Sequence, residues 1–296
     1  MKRGGWKAAM RAAHQELKRK RSVTAVYLVL RLMVILIMVA QFFNKNFENV
    51  FLCLLTLVLF LLPTIFERRL QIDLPDTLEI IIMLFIFAAE ILGEISAFYI
   101  TFQGWDTMLH TLNGFLCAAI GFSLVDMFDR NERFSLSLSP VFMAIVAFCF
   151  SMTIGVLWEF FEFFMDRTFA MDMQKDFFVT SINSVALNPT GANVPIHLQV
   201  DSLLVNGEDW IAKYGGYLDI GLIDTMKDLF VNFIGAVVFS VIGYFYVKHR
   251  GRGRFAPKFI PIINHGDGYG VDNFGNPIPE KPQKKDQKSG SEKRRE

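Results

Sequence analysis

The chain has 296 residues, 52% of them hydrophobic and 14% aromatic, with 31 Phe and a mean hydropathy of +0.35. That composition excludes disorder, a collagen-like repeat and a disulfide-built secreted scaffold, because the three cysteines (Cys53, Cys117, Cys149) all sit inside apolar runs. The formal net charge of +1 hides an asymmetry of +7 over residues 1–21, −12 over 22–246 and +6 over 247–296. Basic flanks beside long apolar runs hold a membrane protein's cytoplasmic face, so the ends are read as facing a bilayer and not nucleic acid.

The pattern predicts an all-α integral membrane protein, a six-transmembrane-helix bundle with a small β-rich extracytoplasmic loop. Residues 1–21 form a basic segment in which Trp6, Met10, Ala13 and Leu17 share one helical face. It reads either as a helix lying on the inner membrane surface or as a solvated tail. Apolar windows close to the ~20 residues a crossing needs follow at 22–43, 48–66, 78–100, 105–128, 140–165 and 222–246. The first is too long for a signal-peptide core and is expected to stay as an anchor.

Six crossings put both termini on one side. The loops on that side carry Arg68, Arg69, Arg130 and Arg133, while the short opposite loops carry only Lys45, so both termini are expected to be cytoplasmic. The long segment 167–221 then lies outside. Its runs Phe177–Leu187 and Val194–Val205 flank Asn188-Pro189-Thr190-Gly191, a hairpin signal, and its acids are read as solvated surface. After the last crossing, Lys248 to Phe259 is expected to be a second surface anchor, and the chain from Gly266 onward a disordered part of the basic tail 247–296.

Ionisable residues inside the spans carry the functional argument, since each costs several kcal/mol at the bilayer centre, ~3 or more by insertion scales. At 3.6 residues per turn they sort into stripes: Glu90/Glu94, Asp106/His110/Asn113, Glu159/Glu162/Asp166 and Asp224/Asp228/Asn232. Stripes on four helices are hidden by facing one another. The topology puts Glu94, His110, Glu159 and Asp228 at one level, about 9 Å below the outer boundary. Carboxylates with an imidazole suit a divalent metal (Mg, Mn or Zn), for which Glu94, Asp106, His110, Glu159, Asp224 and Asp228 are the candidate ligands. His110, Glu159 and Glu162 are the candidate catalytic groups, His110 or Glu159 as general base. Asn113, Asn232 and Asp166 serve equally well as interhelical glue. Arg31, deep in the first span, is expected to pair with Glu79 or Glu90.

Three ordered motifs, Asp106-x-x-x-His110 followed by Gly114-Phe115, Trp158-Glu159-Phe160-Phe161-Glu162, and Asp224-Thr225-x-x-Asp228-x-x-x-Asn232-x-x-Gly235-Ala236, resemble those of the YjdF-like bacterial multi-pass membrane proteins. That resemblance implies a bacterial plasma membrane location and no established activity. A looser likeness runs to the VanZ-like proteins, associated with low-level glycopeptide resistance. Glu162 stands where those proteins usually carry an amide, and the long outer loop is extra.

Three functions fit. One is a metal-dependent enzyme acting on a lipid-linked or amphipathic envelope substrate at the outer leaflet. Another is a proton- or cation-coupled transporter, although no inverted repeat is visible. The last is a non-catalytic scaffold or sensor whose outer loop binds a partner.

Overall fold

The computed structural model of the chain describes residues 21–70, 72–129, 138–249, 251 and 255–263. The basic segment before residue 21, Arg130, Arg133 and the tail from Gly266 lie outside the described residues. The described chain is mostly helical, with small two-stranded sheets.

Helix α1 spans Arg21–Phe43, and α2 (Phe47–Leu59) starts where the Asn46 side chain accepts a hydrogen bond from Asn49 N. A turn at Phe60–Leu61 separates α2 from α3 (Leu62–Leu70). Pro63 lies in the first turn of α3, where its missing N–H and fixed φ are tolerated but continuation of α2 is not. Strand β1 (Ile72–Asp73) leads into α4 (Asp76–Phe87), which runs directly into a π-helical segment, Ala88–Ile95, followed by the short α5 (Phe98–Thr101). Helices α6 (Trp105–Asp129) and α7 (Pro140–Phe169) follow; Ser139 caps α7 through Phe142 N, with Pro140 at its first position.

Residues 170–221 hold β2 (Phe178–Val179), β3 (Ser181–Ser184), β4 (Ile196–Gln199), β5 (Leu204–Val205), β6 (Glu208–Asp209), α8 (Trp210–Tyr214) and β7 (Tyr217–Leu218). The pairs β2–β7, β3–β4 and β5–β6 are antiparallel, so the hairpin expected around Asn188-Pro189 is present. Helix α9 (Leu222–Lys248) and strand β8 (Ile262–Ile263) complete the order.

Among the described residues, five helical stretches are long and apolar enough to cross a membrane: Arg21–Phe43, Phe47–Arg69, Trp105–Asp126, Pro140–Phe169 and Leu222–Lys248. The expected count was six. The window at 78–100 is not one long α-helix, because α4 changes to π geometry at Ala88 and the chain turns at Ala97, whose φ is +57°.

Two packed groups make up the bundle. In the first, α1, α2 and the α4–π stretch bury Val34, Cys53, Phe60, Met83 and Ile91. In the second, α6, α7 and α9 meet through Ala118, Ala119, Ala147 and Ala236, with Phe122 and Phe239 filling the space between. Small residues at such crossings let backbones approach, which drives helix association where no hydrophobic difference from lipid exists. The segment after α9 departs from expectation. Phe259 and Ile260 are buried in the second group, Phe259 ring-to-ring with Phe115 at 5.1 Å, so the end of that stretch turns inward. Strand β8 then pairs with β1, Ile72 opposite Ile263. The Arg31 guanidinium donates to Tyr27 Oη at 2.6 Å and lies over the same ring.

Candidate functional site

The polar stripes of α6, α7 and α9 meet at the end of the bundle nearest residues 170–221. Asp106 and His110, one turn apart on α6, face Asp228 on α9. His110 Nε2 lies 3.3 Å from Asp106 Oδ1 and 3.9 Å from Asp228 Oδ2. One ligand atom from each of the three falls within 4.8 Å of the others. Asp228 is buried, as are the neighbouring Glu159 and Glu162, while the Asp106 side chain is 27% exposed, so the group is largely enclosed and opens at Asp106.

Its hydrogen bonding is incomplete. Among the described residues, Asp106 Oδ2, Asp228 Oδ1 and Glu159 Oε2 are buried with no partner, as is Trp105 Nε1. Leaving a buried polar atom unpaired costs about 1–3 kcal/mol, more for a charged one. Two carboxylates in that condition beside one imidazole are what a cation would relieve. The donor set, carboxylate oxygens with one ring nitrogen, fits Mg, Mn or Zn.

Around this centre each acid has a distinct role. Glu162 accepts from Trp158 Nε1 at 2.9 Å, one helical turn away. Asp224 Oδ2 accepts from the main-chain N of Lys175 at 2.9 Å, and its other oxygen lies 3.9 Å from Lys227 Nζ. Asp166, at the end of α7, accepts from Met173 N at 2.7 Å and Gln174 N at 2.9 Å. Gln174 Nε2 donates to Thr225 Oγ1 at 2.6 Å, and both side chains lie beside Glu159. Residues 173–175 are therefore strapped across the site by main-chain donors and one amide.

One turn deeper the polarity is satisfied internally. Asn113 Nδ2 donates to Asn232 Oδ1 at 3.2 Å, and Asn232 Nδ2 reaches Met152 Sδ at 3.6 Å. These residues act as interhelical glue.

Glu90 and Glu94 lie outside the three-donor group, though they share Tyr99 as a neighbour with Asp106 and Glu162. Glu94 is exposed on the π segment, and the charges that reach it are those of Lys175, Glu48 and the neighbouring Glu90. Sequence reasoning missed Gln174, Lys175 and Thr225. Thr225 had a signal in its place between two acids of a stripe, whereas Gln174 and Lys175 lie in an irregular loop with none. It also missed the tie from Trp158 to Glu162, although the i, i+4 spacing was there to read.

No curated protein and no solved structure matches the chain. The looser likeness to VanZ-like proteins finds no support in the comparisons. Over residues 26–249, however, the sequence matches the family described as "Predicted membrane protein (DUF2238)", to which the YjdF-like resemblance pointed. All three polar stripes of the site fall within that match, and this chain belongs to the DUF2238 family of membrane proteins.

Proposed function

We propose that the protein is a divalent-cation-dependent membrane enzyme acting on a lipid-linked or amphipathic envelope substrate, with Asp106, His110 and Asp228 as ligands. The observation that carries this reading is the convergence of those three donors from two helices, with Asp106 and Asp228 set against each other and neither Asp106 Oδ2 nor Asp228 Oδ1 met by an N–H or O–H donor. Glu159, buried with one oxygen unbonded, is placed to take or give a proton, and Glu162 is oriented by Trp158. A bound cation would polarise a carbonyl or phosphoryl oxygen or lower the pKa of water.

A transporter needs a polar path onward. Below Asn113 and Asn232 the core residues Ala118, Ala119, Phe122, Ala236 and Phe239 alternate with buried Ser123, Asp126 and Ser240, so the core does not separate the two readings, and it is the unpaired oxygens of Asp106 and Asp228 that favour the enzyme.

Six crossings, with both termini cytoplasmic in a bacterial plasma membrane, belong to the same proposal. Strands β1 and β8 are paired, so their residues share one side of the bilayer. Between them lie three of the long apolar helices, an odd number, and parity is restored when the α4–π stretch also crosses. Its 12 α-helical and 8 π-helical residues reach somewhat less than the ~30 Å of a straight α-helix of that length, close to the thickness of the hydrocarbon core. Arg68 and Arg69 just before β1 mark that side as cytoplasmic.

The test is metal analysis and calorimetric titration with Mg, Mn and Zn of the full chain in detergent, wild type against His110→Ala and Asp228→Asn. Stoichiometric binding lost in both variants is expected. No binding to wild type would end the metal reading.

A further inference from the structure

The segment 170–221 is divided sharply by charge. Residues 177–200 contain no Asp, Glu, Lys or Arg, whereas the flanking residues hold Asp172, Lys175 and Asp176 on one side and Asp201, Glu208, Asp209, Lys213 and Asp219 on the other. The uncharged part includes the β3–β4 hairpin, whose register sets Ile182 opposite Leu198 and Ser184 opposite Ile196. Cross-strand partners share a face, so Ile182, Ile196 and Leu198 point the same way. Ile182 and Ser184 on β3 are half-buried, but the β4 side of that face is left open by the described chain. Ile196 is 37% exposed and Leu198 46%, and beyond them Val185, Leu187 and Val194 are 46%, 43% and 58% exposed. An isolated two-stranded hairpin is at best marginally stable in water, and it needs its apolar face covered.

What covers it follows from where the hairpin is tied. Asp219 clamps its base to α9: Oδ1 accepts from Phe177 N at 2.8 Å, and Oδ2 from Ile223 N, in the first turn of that helix, at 2.7 Å. Phe177 is thus fixed beside the end of a membrane-spanning helix. Strand β3 begins only four residues later, at most about 13 Å along an extended chain. Phe177 and Phe178, both exposed, stand at the level where aromatic side chains favour the boundary between headgroups and acyl chains. Charge is absent from the part of the loop that carries the apolar face and concentrated in its flanks, the division expected when one part meets lipid and the rest meets water.

We infer that the 177–200 hairpin lies in the headgroup–acyl boundary of the adjacent leaflet, with Ile182, Ile196 and Leu198 turned toward lipid. The inference does not depend on a metal at the site. It makes the loop a lipid-contacting shelf beside the mouth of the carboxylate centre.

The experiment places spin labels at Ile196→Cys, Leu198→Cys and Glu208→Cys in the full chain, its native cysteines replaced by alanine, in phosphatidylcholine–phosphatidylglycerol vesicles. Collisions with oxygen and with a water-soluble nickel chelate are compared. Labels at 196 and 198 are expected to meet oxygen several-fold more often than the chelate, and the label at 208 the reverse. Chelate access at all three sites overturns the inference. So does dipolar broadening at 196 and 198 that disappears on dilution with unlabelled protein, since a second copy would then cover the face. A Leu198→Trp variant with native cysteines gives an independent reading. Brominated lipid should quench its added fluorescence, and quenching by aqueous acrylamide alone would overturn the placement.

Discussion

The main-chain carbonyl oxygen of Asn232 lies 2.1 Å from where a Cβ on residue 114 would sit. Gly114 on α6 and Asn232 on α9 are in backbone contact, and Gly235 repeats the arrangement, its Cβ position 2.0 Å from Thr111 O. This crossing lies one turn below His110 and Asp228, so it sets the separation of the two helices that supply the three donors. Gly114→Ala is expected to destabilise the protein by about 1–3 kcal/mol or more, the usual cost of overpacking, read as a lowered unfolding temperature in detergent. Metal affinity should fall with it, because α6 and α9 must move apart.

Removal of a donor acts differently. Asp228→Asn keeps shape and packing but takes away one charge from the centre. Outer-shell changes around metals commonly cost 10–100-fold in affinity, so loss of this donor is expected to cost more than about 100-fold. Because Asp228 Oδ1 has no hydrogen-bond partner, the fold should survive and metal-free protein should be slightly stabilised by the lost repulsion. Calorimetric titration beside thermal unfolding checks both halves.

Trp158→Phe keeps the ring and deletes the N–H that Glu162 accepts at 2.9 Å. A typical hydrogen bond contributes about 0.5–1.5 kcal/mol. Unfolding should shift by that order while stoichiometric metal binding remains. Loss of the metal as well would show that Glu162 belongs among the ligands.

In the loop, Asp209 caps α8 and also accepts from Leu203 N at 3.3 Å. The Ser202 hydroxyl first, then these main-chain donors, hold its carboxyl below the usual aspartate range. A lowered folded-state value means the stabilisation is present above the ordinary aspartate range and lost as pH falls through the folded-state value. Hydrogen exchange at residues 203–214 should therefore quicken relative to 178–199 only on acidification past the ordinary range, and Asp209→Ala should remove that difference.

Pairing of β1 with β8 predicts shared sidedness. Cysteines placed at Asp73 and Lys258 should be labelled by an impermeant maleimide from one face of sealed vesicles, and cysteines at Lys45 and Lys213 from the other. Labelling of Asp73 and Lys213 from the same face would reduce the crossing count.

The stripes on α6, α7 and α9 were legible because those stretches are continuous α-helices, in which a 100° step holds from end to end. Asp106, His110, Glu159, Glu162, Asp224 and Asp228 could be assigned to faces turned toward one another on that basis alone. Glu94 could not. It lies in a stretch with i→i+5 bonding, which advances by a smaller angle per residue, so a phase carried over from α4 points it the wrong way. No hydropathy pattern distinguishes Ala88–Ile95 from ordinary helix. The inward fold of Phe259 and Ile260 was hidden for another reason: basic residues interleaved with aromatics read as a surface anchor, and burial against Phe115 depends on a contact far away in sequence.

The strap over the site is held chiefly through amide hydrogens, those of residues 173, 174 and 175, which meet Asp166 and Asp224. Every amino acid except proline carries that donor. Positions 173 and 175 are therefore free to drift in evolution without loosening the closure, and selection falls instead on Asp166 and Asp224, the two acceptors. A survey of homologues should find a variable loop suspended from invariant acids, with proline missing at those three positions.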